Sequence, residues 1–224
     1  CMEHGSVDYP FDSLPEALVA GAEPVTVKVA AGTYGRTGKI VGRTVYLRGG
    51  YPGGSSYGVG RLGGDFGDET RDPRRNVSVI DADLSGPCVY FDDAPAGEVS
   101  GFHLTNGYYS YGPGVRIHES PVVVSHNEIY GHHAYTYGGG VFCYRSDCVI
   151  EYNRIHDNYG AYGGGVYCFG GGTVRFNEIV GNEAGQGGGI CCGNDGTVEV
   201  HHNLITENLA HNGGGVACPD AGAN

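Results

Sequence analysis

"GGGVYCFGGG", residues 163–172, holds six glycines with Val166, Tyr167, Cys168 and Phe169 between them. Glycine-rich sequence suggests a flexible linker, and a glycine-rich loop ending in Lys-Ser or Lys-Thr suggests a phosphate cradle. Neither reading survives the rest of the chain. Gly138-Gly139-Gly140-Val141-Phe142-Cys143 comes before the stretch. Gly187-Gly188-Gly189-Ile190-Cys191-Cys192 and Gly213-Gly214-Gly215-Val216-Ala217-Cys218 come after it, and the four copies are spaced 25, 24 and 26 residues apart. A weaker copy, Gly112-Pro113-Gly114-Val115, lies 26 residues before the first. A linker has no period, and no lysine follows Lys39 to complete a phosphate loop. These glycines fit tight turns with positive φ and close approach of neighbouring backbones.

A second motif, N-x-I-x-x-N, runs between the glycine blocks. It occurs at Asn153–Asn158, Asn177–Asn182 and Asn203–Asn208, and a fourth copy starts at Asn127 and ends in His132. Each copy follows alternating apolar residues: Val122 and Val124, Ile150 and Tyr152, Val174 and Phe176, Val198 and Val200. A fixed period of this length means stacked units. Period-2 strands without helical segments exclude the helical repeats. Each unit reads as three short strands and three turns.

These glycine and asparagine blocks resemble the right-handed parallel β-helix superfamily, the pectate-lyase-like fold. Within it the likeness is to bacterial surface proteins with repeats of the form GGGI-x-C…I-x-N-N-x-I-x-x-N. The resemblance supplies the right hand. The expected fold is therefore an all-β, right-handed parallel β-helix forming a single domain over 1–224, with rungs of about 24–26 residues. Residues 1–24 read as an N-terminal cap. Its short helix is signalled by the capping box Ser13-Leu14-Pro15-Glu16. Val25–Val29 and Val45–Tyr51 read as the first rungs, 52–75 as a loop excursion rich in glycine and charge, and 112–218 as the most regular rungs.

Composition narrows the function. The 224 residues include 43 glycines, 17 tyrosines and 10 prolines without a G-X-Y period, which excludes collagen and disorder. A net charge of −12 with two lysines argues against nucleic acid and anionic membranes as partners. No apolar run approaches the ~18 residues of a membrane span. Eight cysteines without paired C-x-x-C motifs favour an exported, oxidising setting, hence an extracellular or cell-surface location. Cys1 fits either a tie between the cap and a rung, with Cys88, or the lipid-bearing first residue of a lipoprotein.

In a β-helix, equivalent positions stack about 4.8 Å apart, so columns are the units to weigh. Asn127, Asn153, Asn177 and Asn203 form one column, expected to hydrogen-bond as a structural ladder. Cys143, Cys168, Cys192 and Cys218 form another, pointing inward. Free buried thiols and rung-to-rung disulfides both fit it, and a linear column is a poor metal site. Tyr108, Tyr109, Tyr111, Tyr135 and Tyr137 crowd the turns of the middle rungs, where they contact a glycan or another subunit, or cover neighbouring rungs.

The superfamily resemblance implies cleavage of acidic polysaccharides, but the catalytic sets that would carry it are incomplete. Asp92-Asp93 is the only pair of adjacent aspartates, and no Arg-x-Lys follows it. A uniformly acidic polymer is repelled by the net charge. The expectation is a non-enzymatic structural protein with no cofactor and no catalytic or metal residue, assembling head-to-tail with itself as a filament or acting as an adhesin on surface glycans. A carbohydrate-active or glycan-binding protein is the alternative.

Overall fold

The computed structural model describes residues 13–20, 23–52, 71–193 and 195–219. Every strand pairing within it is parallel, and each strand pairs with the equivalent strand one rung away. The chain is a parallel β-helix.

The rung beginning at Gly97 shows the path. Gly97–Ser100 lies in a first sheet, Phe102–Thr105 in a second, Tyr108–Tyr111 in a third and Val115–His118 in a fourth, before Val122–Ser125 returns to the first. The first, second and fourth sheets have seven strands each, and the third has five. The sequence suggested three strands per rung. That holds for the leading rungs, built from Val25–Ala30, Gly32–Tyr34 and Lys39–Val41 and then from Val45–Tyr51, Ser78–Asp81 and Val89–Asp92. From Tyr108 onward each rung has a fourth strand. The extra strand was hidden because its inward positions are small: Ala134, Gly160 and Ala184 stack where a strand reading looks for large apolar residues.

The core runs the length of the coil. Val99, Leu104, Ile117, Val124, Ile129, Val141, Ile150, Ile155, Val166, Val174 and Ile179 are fully buried in it. The helix Leu14–Val19 forms as the capping box predicted. Ser13 Oγ accepts from the Glu16 amide, and Leu14, Ala17 and Leu18 join the core beside the first rung. Of the loop excursion, residues 53–70 lie outside the described residues, as does Cys1; Asp72–Asn76 forms a hydrogen-bonded turn.

The three glycines of each block have separate reasons to be glycine. Gly138, Gly163, Gly187 and Gly213 have φ between +62° and +66°, the left-handed turn that L side chains disfavour. The third glycine has no room for a side chain wherever another described rung follows: a Cβ on Gly140 would sit 2.6 Å from the Gly165 carbonyl oxygen, and one on Gly165 2.6 Å from that of Gly189, whereas at Gly215 the nearest atom is 3.6 Å away. The ladder of backbone bonds therefore continues unbroken around the corner, with Gly140 N–H donating to Gly164 O at 3.1 Å and Val141 N–H to Gly165 O at 2.9 Å.

Asparagine closes two other corners. Asn153 Oδ1 accepts from both the backbone N–H and Nδ2 of Asn127, at 3.0 and 3.1 Å, while Asn127 Nδ2 donates to Val99 O at 2.9 Å. The same arrangement passes from Asn153 to Asn177 and on to Asn203. A second ladder of Asn158, Asn182 and Asn208 lies at the next corner. His132 ends that ladder. Its Nδ1 accepts from Gly107 N–H at 2.9 Å and its Nε2 donates to Leu104 O at 3.0 Å, so the neutral ring does the work of an asparagine. Burial drives its pKa down to about 3. Ser120 and Ser146 form a shorter ladder where the fourth sheet returns to the first.

Candidate functional site

Of the expected inward cysteine column, Cys143, Cys168 and Cys192 are buried while Cys218 is exposed, and the disulfide lies within a rung rather than between rungs. Cys143 pairs with Cys148, five residues on, across the corner from the fourth sheet to the first. Cys168 and Cys192 are buried free thiols, Cys218 is an exposed one, and desolvation pushes Cys168 up to about 12. Cys88 is also free, its thiol donating to the carbonyls of Ile80 and Thr105. Cys148 lies in a turn outside the stacked column, where the repeat gives no sign of it. The Cys143, Cys148 and Cys168 sulfurs lie within 4.8 Å of one another. Two of them are spent in the disulfide and the third is held protonated, so this set does not suit a cation.

The outer surface carries the more informative chemistry. In the fourth sheet, Lys39, Tyr90, Arg116, Phe142, Tyr167 and Cys191 occupy one outward column, in register from rung to rung. Val41, Asp92, His118, Tyr144 and Phe169 occupy the next. The third sheet faces them with Tyr111, Tyr137 and Tyr162. Outward residues of the two sheets touch across the Gly138 corner. Tyr111 and Phe142 ring centroids are 5.6 Å apart, and Tyr137 and Tyr167 are 4.6 Å apart. Outer faces meet this way only where the coil folds inward, so a cleft runs parallel to the axis. Its volume is about 360 Å³, and it is lined by Tyr111, Arg116, His118, Tyr137, Phe142, Tyr144, Tyr167 and Phe169.

The rings lining this cleft are stacked on their neighbours in adjacent rungs. Phe142 lies over Tyr167 at 5.8 Å and 10°, and Tyr144 over Phe169 at 5.2 Å and 7°. Ring faces are therefore spent along the axis, and Phe142 and Tyr167 are themselves buried among the neighbouring rings. Of the five tyrosines singled out by sequence, Tyr111 and Tyr137 line the cleft. Tyr109 stands at its head, 5.5 Å from the Arg116 guanidinium. Tyr108 and Tyr135 pack edge to face at 4.9 Å on the exposed face of the third sheet, beside His133.

Asp92, the first of the two adjacent aspartates, lies at the charged end of the cleft. It is held by Lys39 Nζ at 2.6 Å, His118 Nδ1 at 3.0 Å and the Tyr90 hydroxyl at 3.3 Å. Desolvation alone would raise its carboxyl, but the Lys39 ammonium, with His118 and Tyr90, holds it below the ordinary range. Asp93 is an exposed turn residue with φ +53° and does not join it. Arg116 lies with its guanidinium 4.4 Å from the Tyr90 centroid and 5.4 Å from that of Tyr111. Its Nε is buried without a hydrogen-bond partner, and none of the salt bridges among the described residues includes it.

A second polar cluster lies on the outer face of the second sheet. Glu128 accepts from Arg154 at 3.1 Å and pairs with His156 at 3.1 Å and His103 at 3.3 Å. Desolvation opposes ionisation of Glu128, but these partners outweigh it and keep the carboxyl low. The charges compensate one another within the cluster, as befits a clamp between rungs.

Among the described residues, no helix is long and apolar enough to cross a membrane. Searches of curated proteins and of solved structures returned no match. The family model described as "right handed beta helix region" matches residues 75–221, which takes in the regular rungs, both asparagine ladders and the cleft. With its parallel coil and rung-long repeat, the chain belongs to the right-handed β-helix family.

Proposed function

We propose that this β-helix is an extracellular glycan-binding protein, an adhesin in the broad sense, which holds an oligosaccharide in the cleft between its third and fourth sheets without cleaving it. The observation carrying this reading is the cleft lining: six aromatic side chains, Phe142 and Tyr167 the most buried of them, with Arg116 and His118 at one end. A concave, mostly apolar groove with a few convergent polar groups is the usual form of a ligand site. Glycosidic hydrolysis by the common route needs two carboxylates across the bond. Among the described residues the lining has none, and Asp92 beside it is held ionised by Lys39 and His118. The Cys143–Cys148 disulfide supports an oxidising compartment.

A glycan array followed by calorimetry tests the reading. Tyr144→Ala or Tyr167→Ala is expected to weaken binding on the order of tenfold or more. Tyr108→Ala and Tyr135→Ala, outside the cleft, leave it unchanged. An array without hits overturns the proposal, and new reducing or unsaturated ends on incubation with pectins or alginates would make the protein an enzyme. Self-association is the second reading, favoured by the exposed, outward-facing Leu204 and Leu209. A rise in particle mass with concentration in light scattering would support it.

A further inference from the structure

The geometry points to a ligand carrying one anionic group at one end and neutral sugars beyond it, rather than a uniformly acidic polymer. This inference rests on the glycan reading of the cleft. Three observations carry it.

First, Arg116 is a permanent cation with an unmet need. Its Nε is buried and has no acceptor, and its guanidinium is steadied by the rings of Tyr90, Tyr109 and Tyr111 at 4.4–5.5 Å. Aromatic faces stabilise a guanidinium without neutralising it. Asp92, on the adjacent strand, is already engaged by Lys39 and His118. Arg116 also lines the cleft, so a carboxylate or sulfate at its head would pair with the guanidinium from the cleft side, the closed-off Nε taking no part, and arginine is suited to bind such groups with paired N–H donors.

Second, the cation does not recur. Beyond Arg116 its column continues as Phe142, Tyr167 and Cys191, and the neighbouring column runs from His118 to Tyr144 and Phe169. The facing column passes from Tyr111 to Tyr137 and Tyr162. Each rung advances about 4.8 Å, close to the length of one sugar residue in an extended chain. A second acidic sugar would therefore set its charge against Phe142 and Tyr144. The nearest cation there, Arg145 over the Tyr144 ring, already faces Glu119 and Asp195 at 3.9 and 4.0 Å, so such a charge gains less than one seated on Arg116.

Third, the protein as a whole carries a charge of −12. Long-range repulsion penalises each additional negative charge on the ligand, whereas one group seated on Arg116 is compensated locally.

Three probes of equal length test this by calorimetry: a neutral hexose tetramer, the same tetramer ending in one uronic acid, and a homopolymeric uronate tetramer. The expected order places the singly acidic probe at least about tenfold tighter than the neutral one, from a charged hydrogen bond, with the homopolymer weaker than the singly acidic probe. Added salt should erode the advantage of the singly acidic probe. Arg116→Gln should collapse the acidic-to-neutral affinity ratio toward one, while Arg116→Lys keeps part of it, which separates charge from packing. A ratio unchanged in Arg116→Gln, or a homopolymer bound as tightly as the singly acidic probe, overturns the inference but leaves glycan binding standing. Failure of all three probes to bind overturns both.

Discussion

The rungs before Asp92 have three strands and irregular sequence, whereas those from Gly97 onward have four strands and a nearly constant one. Both kinds are parallel coils around the same core, so the Gly/Asn repeat is not what makes a β-helix. What differs is how the corners satisfy their backbone groups. The leading rungs solve each corner separately. Ser78 Oγ accepts from Gly50 N–H and donates to the carbonyls of Val29 and Ala30, Tyr34 OH donates to Ala30 O, and Arg71 Nε donates to Gly49 O. The later rungs solve each corner once and repeat the solution, because an amide side chain can bond to its own copy one rung away. Repetition of sequence follows from repetition of partners.

The largest test of this contrast is Asn153→Ala. It orphans the buried backbone N–H of Asn127, leaves Asn127 Nδ2 with only its bond to Val99 O, and removes the bond to Val124 O. Roughly 3–5 kcal/mol of stability should be lost in denaturant titrations. Ser78→Ala, at one of the separate corners, should cost less than half as much.

Acid should strike the later rungs next. The unfolded chain protonates His132 below its ordinary 6.5, but the folded chain resists until about 3. The unfolded state therefore binds more protons in this window. This contribution to stability is intact above 6.5 and falls by about 1.4 kcal/mol per pH unit below it, a loss of about 3 kcal/mol by pH 4. His132→Asn, which would continue the ladder with an asparagine, should remove that part of the pH slope. A slope unaltered in His132→Asn would mean that other groups govern acid unfolding.

Gly165→Ala should cost up to about 3 kcal/mol, because its Cβ meets Gly189 O at 2.6 Å and Ile179 Cγ2 at 3.1 Å. Reduction of Cys143–Cys148 releases a short loop and should cost about 2 kcal/mol, read as a lower melting temperature in reductant. The smallest effect belongs to the leading rungs. A Cβ on Gly35 meets nothing within 4 Å, so Gly35→Ala should shift stability by less than about 1 kcal/mol, toward stabilisation.

Much of this was legible in the residues themselves. The period of the glycine blocks fixed the rung, the alternation before each asparagine fixed the inward positions, and the Ser13 capping box marked the helix. The asparagine column was legible because like residues at a constant spacing must stack. Less visible were His132 as an asparagine substitute, the Ser120–Ser146 ladder and the Cys143–Cys148 pairing. Each is a local departure from the repeat, and a periodic reading discounts departures.

Arg116 shows where the sequence stops. Alone it is one of 13 basic residues. It becomes a candidate anchor because Tyr90 lies 26 residues before it in the same column and Tyr109 and Tyr111 reach it from the neighbouring sheet. By itself the sequence determined the coil, its period and its core, since these depend on residue type at fixed spacing. The cleft, the aromatic stacking that spends its ring faces, and the cation whose Nε is buried without an acceptor were decided only by the tertiary structure. They depend on the angle at which two sheets meet, and a one-dimensional pattern carries no record of that angle.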